Sequence, residues 1–252
     1  MILNKTTLAK KTSLTYDVVE LRFKANSETS SDFSHKAGQF VSVKVPSPQG
    51  QIFRSYSISS KPTLSYFELC VKVVENGLAS NFLANLTEGN EIEFLGPLGN
   101  FGFIEPTNQT ESIARPNQST PSLSLFIATG TGVAPLKSIL EDELAKGNQQ
   151  KMHLLFGVRY IKDIFYKDFF ENLSKKYPNF TFDLTLSRPE DESWAKSDGK
   201  TGRVTDLLKA LALDPKTTTA YICGLKDMVK EITEILQQKG LLPEAVHFER
   251  FN

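Results

Sequence analysis

Phe126-Ile-Ala-Thr-Gly-Thr-Gly-Val-Ala-Pro135 reads as a buried strand, a glycine turn and the start of a helix. Pro135 falls where a helix begins, so its missing N–H has no intrahelical partner to lose. Gly130 and Gly132 let the backbone approach a phosphate, and the helix terminus behind them offers unpaired N–H groups. The pattern fits a dinucleotide site at a first β–α turn, and two glycines alone fit a plain tight turn equally well. It is not the GxGxxG fingerprint, because Pro135 stands where the third glycine would be. That departure argues against an ordinary Rossmann dehydrogenase.

Downstream of this stretch, strand-like and helical segments take turns. The strands are Leu123 to Ala128, Met152 to Val158, Phe180 to Leu186, Ala220 to Cys223 and Val246 to Phe251. The helices are Pro135 to Lys146, Phe165 to Lys176, Val204 to Leu211 and Lys226 to Lys239, the last with Met228, Val229, Ile232, Ile235 and Leu236 at helical spacing. Parallel strands need crossover connections, so the alternation predicts a doubly wound α/β domain with a five-stranded parallel sheet over residues 123–252.

Upstream the rhythm differs. Val41, Val43 and Val45 flank Ser42 and Lys44, while Phe67, Leu69, Val71 and Val73 interleave with Glu68, Cys70 and Lys72. Period-two runs separated by Gly or Pro predict an antiparallel β-barrel over residues 1–103. One helix interrupts it, Leu78 to Leu86, with Leu78, Phe82, Leu83 and Leu86 on one face. Between the two parts, residues 104–122 crowd Pro, Ser, Thr, Asn and Gln into a polar linker or insertion, read as a mobile loop or a carrier-docking element. A barrel followed by a doubly wound domain implies a ligand cleft between them.

Composition narrows the function. The 252 residues are 40% hydrophobic and 23% charged, an ordinary globular mixture. Lys and Arg number 29 and Asp and Glu number 29, so no net field attracts nucleic acid or an anionic membrane. Two cysteines, Cys70 and Cys223, are too few for a disulfide framework, a four-cysteine zinc site or a cysteine-ligated iron–sulfur cluster. His35, His153 and His247 lack metal-ligand spacing, so no metal site is expected and the three read as structural; Trp194 reads as a packing plug. No apolar run approaches the roughly eighteen residues of a membrane span and the amino terminus shows no cleavage signal, which predicts a cytoplasmic protein. Asn108-Gln-Thr110 then carries no glycosylation meaning.

Two further segments carry chemistry. Arg54-Ser-Tyr-Ser57 places a guanidinium and an aromatic ring on one strand face, a pair able to hold a phosphate beside a flat ring, although a surface strand has the same look. Val73-Val-Glu-Asn-Gly-Leu-Ala-Ser80 runs from a strand end through Gly77 into a helix, a second anion site. Two phosphate sites in two domains suggest two nucleotide ligands. Cys223 by itself suits an inert packed thiol, and Glu249 and Phe251 suit a solvated charge and an edge-strand aromatic.

Taken in order, these segments resemble the ferredoxin–NADP reductase superfamily of flavoproteins over nearly the whole chain. Arg54-Ser-Tyr-Ser57 resembles its RxYS flavin motif. Glu68-Leu-Cys-Val-Lys72, Ser80-Asn-Phe-Leu83, Gly96-Pro-Leu-Gly99, Ala128 to Pro135, Tyr221-Ile-Cys-Gly-Leu-Lys226 and Glu249 with an aromatic two residues later are similar to the plant-type members. The resemblance implies FAD and NADP as cofactors, with NAD an open alternative. Arg54 would pair with the FAD pyrophosphate, Tyr56 stack on the isoalloxazine and Ser57 hydrogen-bond near flavin N5. Val71 and Lys72 would line the flavin and its tail, and Gly77, Leu78, Ala79 and Ser80 would meet the pyrophosphate. Thr131, Gly132 and Pro135 would contact the pyridine nucleotide, with Cys223, Gly224, Leu225 and Met228 bordering it. Ser57, Cys223, Glu249 and Phe251 would form the catalytic set, Phe251 covering the flavin face where nicotinamide docks.

Ser187-Arg188, after the third parallel strand, matches a 2′-phosphate pair, with Lys196 or Lys200 in support, and favours NADPH. Ser187-Arg-Pro189, Trp194 and Gly202-Arg203 also resemble NADH-dependent oxygenase reductases, and the plant-type tyrosine near Gly202 and the terminal tyrosine are absent, the chain ending Phe251-Asn252. The resemblance implies a monomer exchanging hydride with NADP(H) and single electrons with a separate carrier such as ferredoxin or flavodoxin. The alternatives are an NADH-dependent reductase component of an oxygenase or haem system, and a non-catalytic nucleotide-binding regulatory subunit.

Overall fold

A computed structural model describes residues 3–25, 33–48, 50–63, 65–104, 123–190, 194 and 199–251. Lys196, Asn252, the Asn108 triplet and nearly all of the polar insertion lie outside them. Two compact units emerge, Met1–Gly102 with Ala134–Ala145, and Phe103–Val133 with Lys146–Asn252.

The first unit is a six-stranded antiparallel sheet built from β1 (Leu3–Ser13), β2 (Val18–Lys24), β3 (Phe40–Ser47), β4 (Gly50–Ser57), β5 (Tyr66–Lys72) and β6 (Glu91–Leu98), in the order β4-β3-β6-β1-β2-β5. An antiparallel bridge from Ile58 to Leu69 ties the two ends into a barrel. The period-two pattern does its work: Val41, Val43, Val45, Phe67, Leu69 and Val71 are buried in the interior, where Phe23, Phe33, Phe67 and Phe94 pack ring to ring at 4.8 to 5.5 Å. Helix α1 (Leu78–Ala84) closes one side through Ala79 and Leu83. The expected apolar face is shorter than its sequence pattern, because Leu78, the first helical residue, projects from the turn and is 45% exposed.

Helix α2 (Val133–Ala145) follows the glycine turn in sequence, yet from Ala134 onward it belongs to the first unit. It meets β5 and the chain beyond β4 through Lys137 and Ser138. This explains why β5 is buried on both faces: Phe67, Leu69 and Val71 point inward, and Glu68 on the other face is covered and paired.

The second unit is a six-stranded, all-parallel sheet formed by β7 (Leu123–Thr129), β8 (Lys151–Val158), β9 (Phe180–Leu186), β10 (Lys200–Thr201), β11 (Thr218–Leu225) and β12 (Val246–Phe251), in the order β10-β9-β8-β7-β11-β12. The sixth strand, beyond the five expected, is β10, two residues beside Thr185 and Leu186. So short a segment carries no period for a sequence pattern to reveal. Helices α4 (Val204–Ala210) and α5 (Lys226–Gln238) pack on Leu125, Ile127, Leu155, Ala220 and Ile222. On the opposite face Phe156 meets Phe170 of α3 (Lys167–Lys176), so the sheet is covered on both sides. The strand order reverses between β7 and β11, the place where open α/β sheets bind ligands at the strands' carboxyl ends.

Candidate functional site

In the first unit, β4 pairs Arg54 with Val43 and Tyr56 with Val41, so both side chains share one face of the sheet, as the alternation predicts. Tyr56 packs against the rim of the barrel core. Burial pushes its phenol up to about 12 against the opposing pull of Arg54, which keeps the ring neutral and suited to stacking. Arg54 is exposed and gives one N–H to Phe53 O at 2.9 Å, while a guanidinium has five to offer. Ser57 ends the strand opposite Phe40 and is 7% exposed.

After β5 the chain turns into α1. Asn76 takes the left-handed conformation (φ +58), which asparagine tolerates. Asn81 Nδ2 donates to Val74 O at 2.9 Å and Gly77 O at 2.7 Å, and Ser80 Oγ accepts from Val74 N–H at 3.1 Å. These bonds satisfy the turn's carbonyls. The first helical bond runs from Asn81 N–H to Gly77 O, so the amides of Leu78, Ala79 and Ser80 precede the ladder, with no capping side chain and no acidic residue in the first helical turn. Such a donor set fits a phosphate. Val71 sits in the barrel core and can offer a ligand only its backbone, whereas Lys72 is exposed and paired with Asp17.

In the second unit the strand end of β7 passes through a single 3₁₀ turn, Gly130–Gly132. A side-chain carbon on Gly132 would stand 2.4 Å from Cys223 O and 2.9 Å from Gly224 Cα, so the β7 and β11 carboxyl ends touch backbone to backbone across the switch point. Gly130 has φ +52 and open space around the same position, a cradle with room for a ligand. Thr131 is half-buried, Pro135 is buried, Leu225 is 58% exposed and Met228 lies within 2.9 Å of where a Gly224 side chain would begin.

Cys223 is fully buried, and burial together with the nearby Glu249 carboxylate raises its thiol well above the ordinary range. The raised value favours the neutral thiol. Parallel pairing sets Cys223 beside Glu249 and Leu225 beside Phe251, and Glu249 and Phe251 are both half-buried towards the end of β12.

Ser187 and Arg188 lie exposed just past β9, with Ser187 N–H bonded to Val158 O at 3.0 Å and Arg188 N–H to Arg159 O at 2.8 Å. This joins two strand ends that each carry an exposed arginine. Gly202 N–H, bonded to Leu186 O at 2.9 Å, brings the turn bearing Arg203 alongside. Arg159 escaped the sequence reading; its signal was an arginine closing the strand next to the one that ends in Ser187-Arg188. Lys200, expected as a phosphate partner, is held by Asp183 at 2.7 Å, and that carboxylate also takes His153 at 2.9 Å. These two bonds, His153 first, pull Asp183 down to about 2 against the opposing effect of burial. Trp194 is 8% exposed and donates to Lys200 O at 2.8 Å, filling the space beside Gly199. His35 is buried beside Ser60 O, and His247 lies 5.4 Å from the Tyr221 ring. Among the described residues no group of His, Cys, Asp or Glu could hold a metal, and no helix is long and apolar enough to cross a membrane.

Family models match both units: an oxidoreductase FAD-binding domain over residues 5–103 and an oxidoreductase NAD-binding domain over residues 126–234. Ferredoxin–NADP reductase B of Sorangium cellulosum is 35% identical over 226 residues, spanning 87% of this chain and 86% of that protein. The chain belongs to the ferredoxin–NADP reductase superfamily. It is an oxidoreductase with an FAD-binding and an NAD-binding domain. The toluate 1,2-dioxygenase electron transfer component of Pseudomonas putida is 28% identical over 85% of this chain, which spans only 58% of that protein. Among solved structures, a ferredoxin–NADP⁺ reductase from Neisseria gonorrhoeae, bound to FAD and NADP, matches with a TM-score of 0.77 at 22% identity, over 98% of each chain. At that identity the match speaks for the fold, and ferredoxin–NADP reductase folds are what both units show.

Proposed function

We propose that this protein is a monomeric, cytoplasmic ferredoxin- or flavodoxin–NADP reductase that draws hydride from NADPH and hands single electrons to a separate carrier. The chemistry FAD supplies when bound is acceptance of the hydride and release of its electrons one at a time. Protein groups orient and tune. Arg54 and the amides of Leu78, Ala79 and Ser80 bind the FAD pyrophosphate, Tyr56 stacks on the ring, and Ser57 hydrogen-bonds near N5. Gly77 gives the turn its close approach, and Val71 and Lys72 line the flavin's tail side.

On the second unit, Gly130 to Gly132, Pro135 and the Cys223 to Met228 loop bind the pyridine nucleotide. Cys223 acts as a neutral thiol bordering the nicotinamide, while Glu249 supplies charge and proton at the terminal strand. Phe251 shields the flavin face and yields to nicotinamide.

The observation that supports NADPH over NADH is the alignment of Arg159, Ser187-Arg188 and Arg203 at neighbouring strand ends. Three exposed arginines and a serine at adjoining strand ends, Arg203 also 4.0 Å from Glu231, suit a dianionic 2′-phosphate, which NADH lacks. Calorimetric titration with 2′,5′-ADP and with 5′-ADP tests this. The expected result is at least tenfold tighter binding of 2′,5′-ADP, about 1.4 kcal/mol or more. Equal affinities would instead support the NADH-side oxygenase reductase, and the likeness to the toluate dioxygenase component gives that second reading its standing.

A further inference from the structure

Helix α2 buries two polar side chains that meet neither proposed ligand. Lys137 is 5% exposed and Ser138 is 0% exposed. The Lys137 ammonium donates to Ser59 O at 3.2 Å and lies 3.8 Å from Glu68 Oε2 and 3.7 Å from Glu141 Oε2. Ser138 Oγ donates to Ser60 O at 2.7 Å. Glu68 is held in turn by Arg22, whose Nε and Nη2 both reach Oε1, at 2.9 and 2.7 Å, and the Glu68 N–H donates to Ser60 Oγ at 3.1 Å.

A buried ion cluster is a costly way to gain stability, since well-packed apolar residues often do as well. Its better-attested use is to fix one register among alternatives. The segment fixed here is residues 58–60, which follows Ser57 directly. Ile58 N–H bonds to Gln39 O at 2.9 Å and Ser59 N–H to Glu68 O at 2.8 Å. The next two carbonyls, Ser59 O and Ser60 O, are taken by α2 side chains, and Ser60 O also lies 3.3 Å from His35 Nε2. Ser59 Oγ is buried without a partner among the described residues, so that side chain does nothing to hold its own segment. Helix α2 does.

We propose that Lys137 and Ser138 are positioning residues for hydride transfer: by gripping the carbonyls of Ser59 and Ser60 they hold the strand end that presents Ser57 to the flavin. The inference rests on the proposed placement of Ser57 near flavin N5. In sequence α2 follows directly on the Gly130–Gly132 turn.

The test uses FAD-loaded full-length protein and the variants Ser138→Ala, Lys137→Met and Lys137→Arg. FAD content, the flavin difference spectrum on adding NADP⁺, and the limiting rate and nucleotide affinity of anaerobic flavin reduction are measured for each. Ser138→Ala and Lys137→Met should retain FAD and bind nucleotide within about twofold of wild type. Their limiting reduction rate should fall roughly tenfold, the scale of a small misplacement at the reacting centre, and the difference spectrum should change shape. Lys137→Arg, which keeps the charge and the donors, should recover most of the rate. Should Lys137→Met lose FAD, Ser138→Ala decides, since it removes one oxygen atom. Wild-type rates and spectra in a FAD-loaded Ser138→Ala would overturn the proposal. A wild-type flavin that neither NADPH nor NADH reduces would instead refute the functional reading beneath it.

Discussion

Two turns in this protein do the same job by different means. Residues 73–80 and 128–133 each lead a strand into a helix; the first leaves the amides of Leu78, Ala79 and Ser80 ahead of the helical ladder, whereas in the second the Val133 N–H already returns to Gly130 O. The first turn is braced from within: Asn81 and Ser80 satisfy Val74 and Gly77, all inside eight residues. The second is braced from outside, its Gly132 pressed against the Cys223 and Gly224 backbone of β11, a strand some ninety residues later. A locally built turn should tolerate damage elsewhere and fail when its own side chains change. A turn built by a distant strand should fail when the contact surface changes, whatever its own side chains do.

The strongest test of that contrast is Gly132→Ala. A methyl 2.4 Å from Cys223 O cannot be accommodated without parting β7 from β11, so stability should fall by about 3 kcal/mol and nucleotide binding should collapse. Gly130→Ala, two residues away in open space but at φ +52, should cost only about 1 kcal/mol. Denaturant unfolding with nucleotide titration separates the two, and equal losses would break the argument for a contact-built turn.

Next comes the edge of the second unit. Arg188→Ala should weaken NADPH by ten- to a hundredfold, the loss of a charge-assisted bond or two, and leave NADH within about twofold. Parallel losses for both nucleotides would mean that Arg188 supports the sheet edge and not a 2′-phosphate.

In the first turn, Asn81→Ala removes two bonds to carbonyls and should lower FAD affinity about tenfold, with nucleotide binding unmoved. Fluorescence release of FAD on dilution reads it directly. An unchanged dissociation constant would show that the turn does not need its internal brace.

The smallest effect is expected from Asp183→Asn, which strikes the same sheet as the second turn but far from its contact. The His153 and Lys200 bonds hold the Asp183 carboxyl down to about 2, below its ordinary 3.8. A depressed carboxylate binds fewer protons when folded than when unfolded, so its contribution is complete above about pH 4 and is lost as pH falls toward 2. Discounted for partial exposure, that is about 1 kcal/mol at neutral pH, and wild type and variant should converge in acid. Nucleotide affinity should stay put; if it falls with stability, the second turn depends on the sheet as a whole and the contrast with the first weakens.

How much of this was legible beforehand follows the same division. The barrel showed through the alternation of Val41, Val43 and Val45, and the parallel sheet through apolar runs separated by helical periods, because burial imposes those periods residue by residue. The Arg54 to Ser57 strand and the Val73 to Ser80 turn were readable for the same reason, being local. Hidden were the facts that need a partner from elsewhere: that Gly132 abuts Cys223, that β10 adds a sixth strand, that Lys200 belongs to Asp183, and that Arg159 joins Arg188. Helix α2 is the sharpest case. Its sequence continues the second unit's opening turn, and its contacts, Lys137 and Ser138 on the Ser59 and Ser60 carbonyls and Glu141 beside Lys61, show which unit it serves.

The central claim, a flavin reductase that takes hydride from NADPH, is tested most directly by anaerobic visible absorption of the purified protein titrated separately with NADPH and NADH. The expected result is bound flavin whose bands bleach at one equivalent of NADPH, with NADH needing far higher concentration. Protein that holds no flavin, or bands that neither nucleotide bleaches, would contradict it.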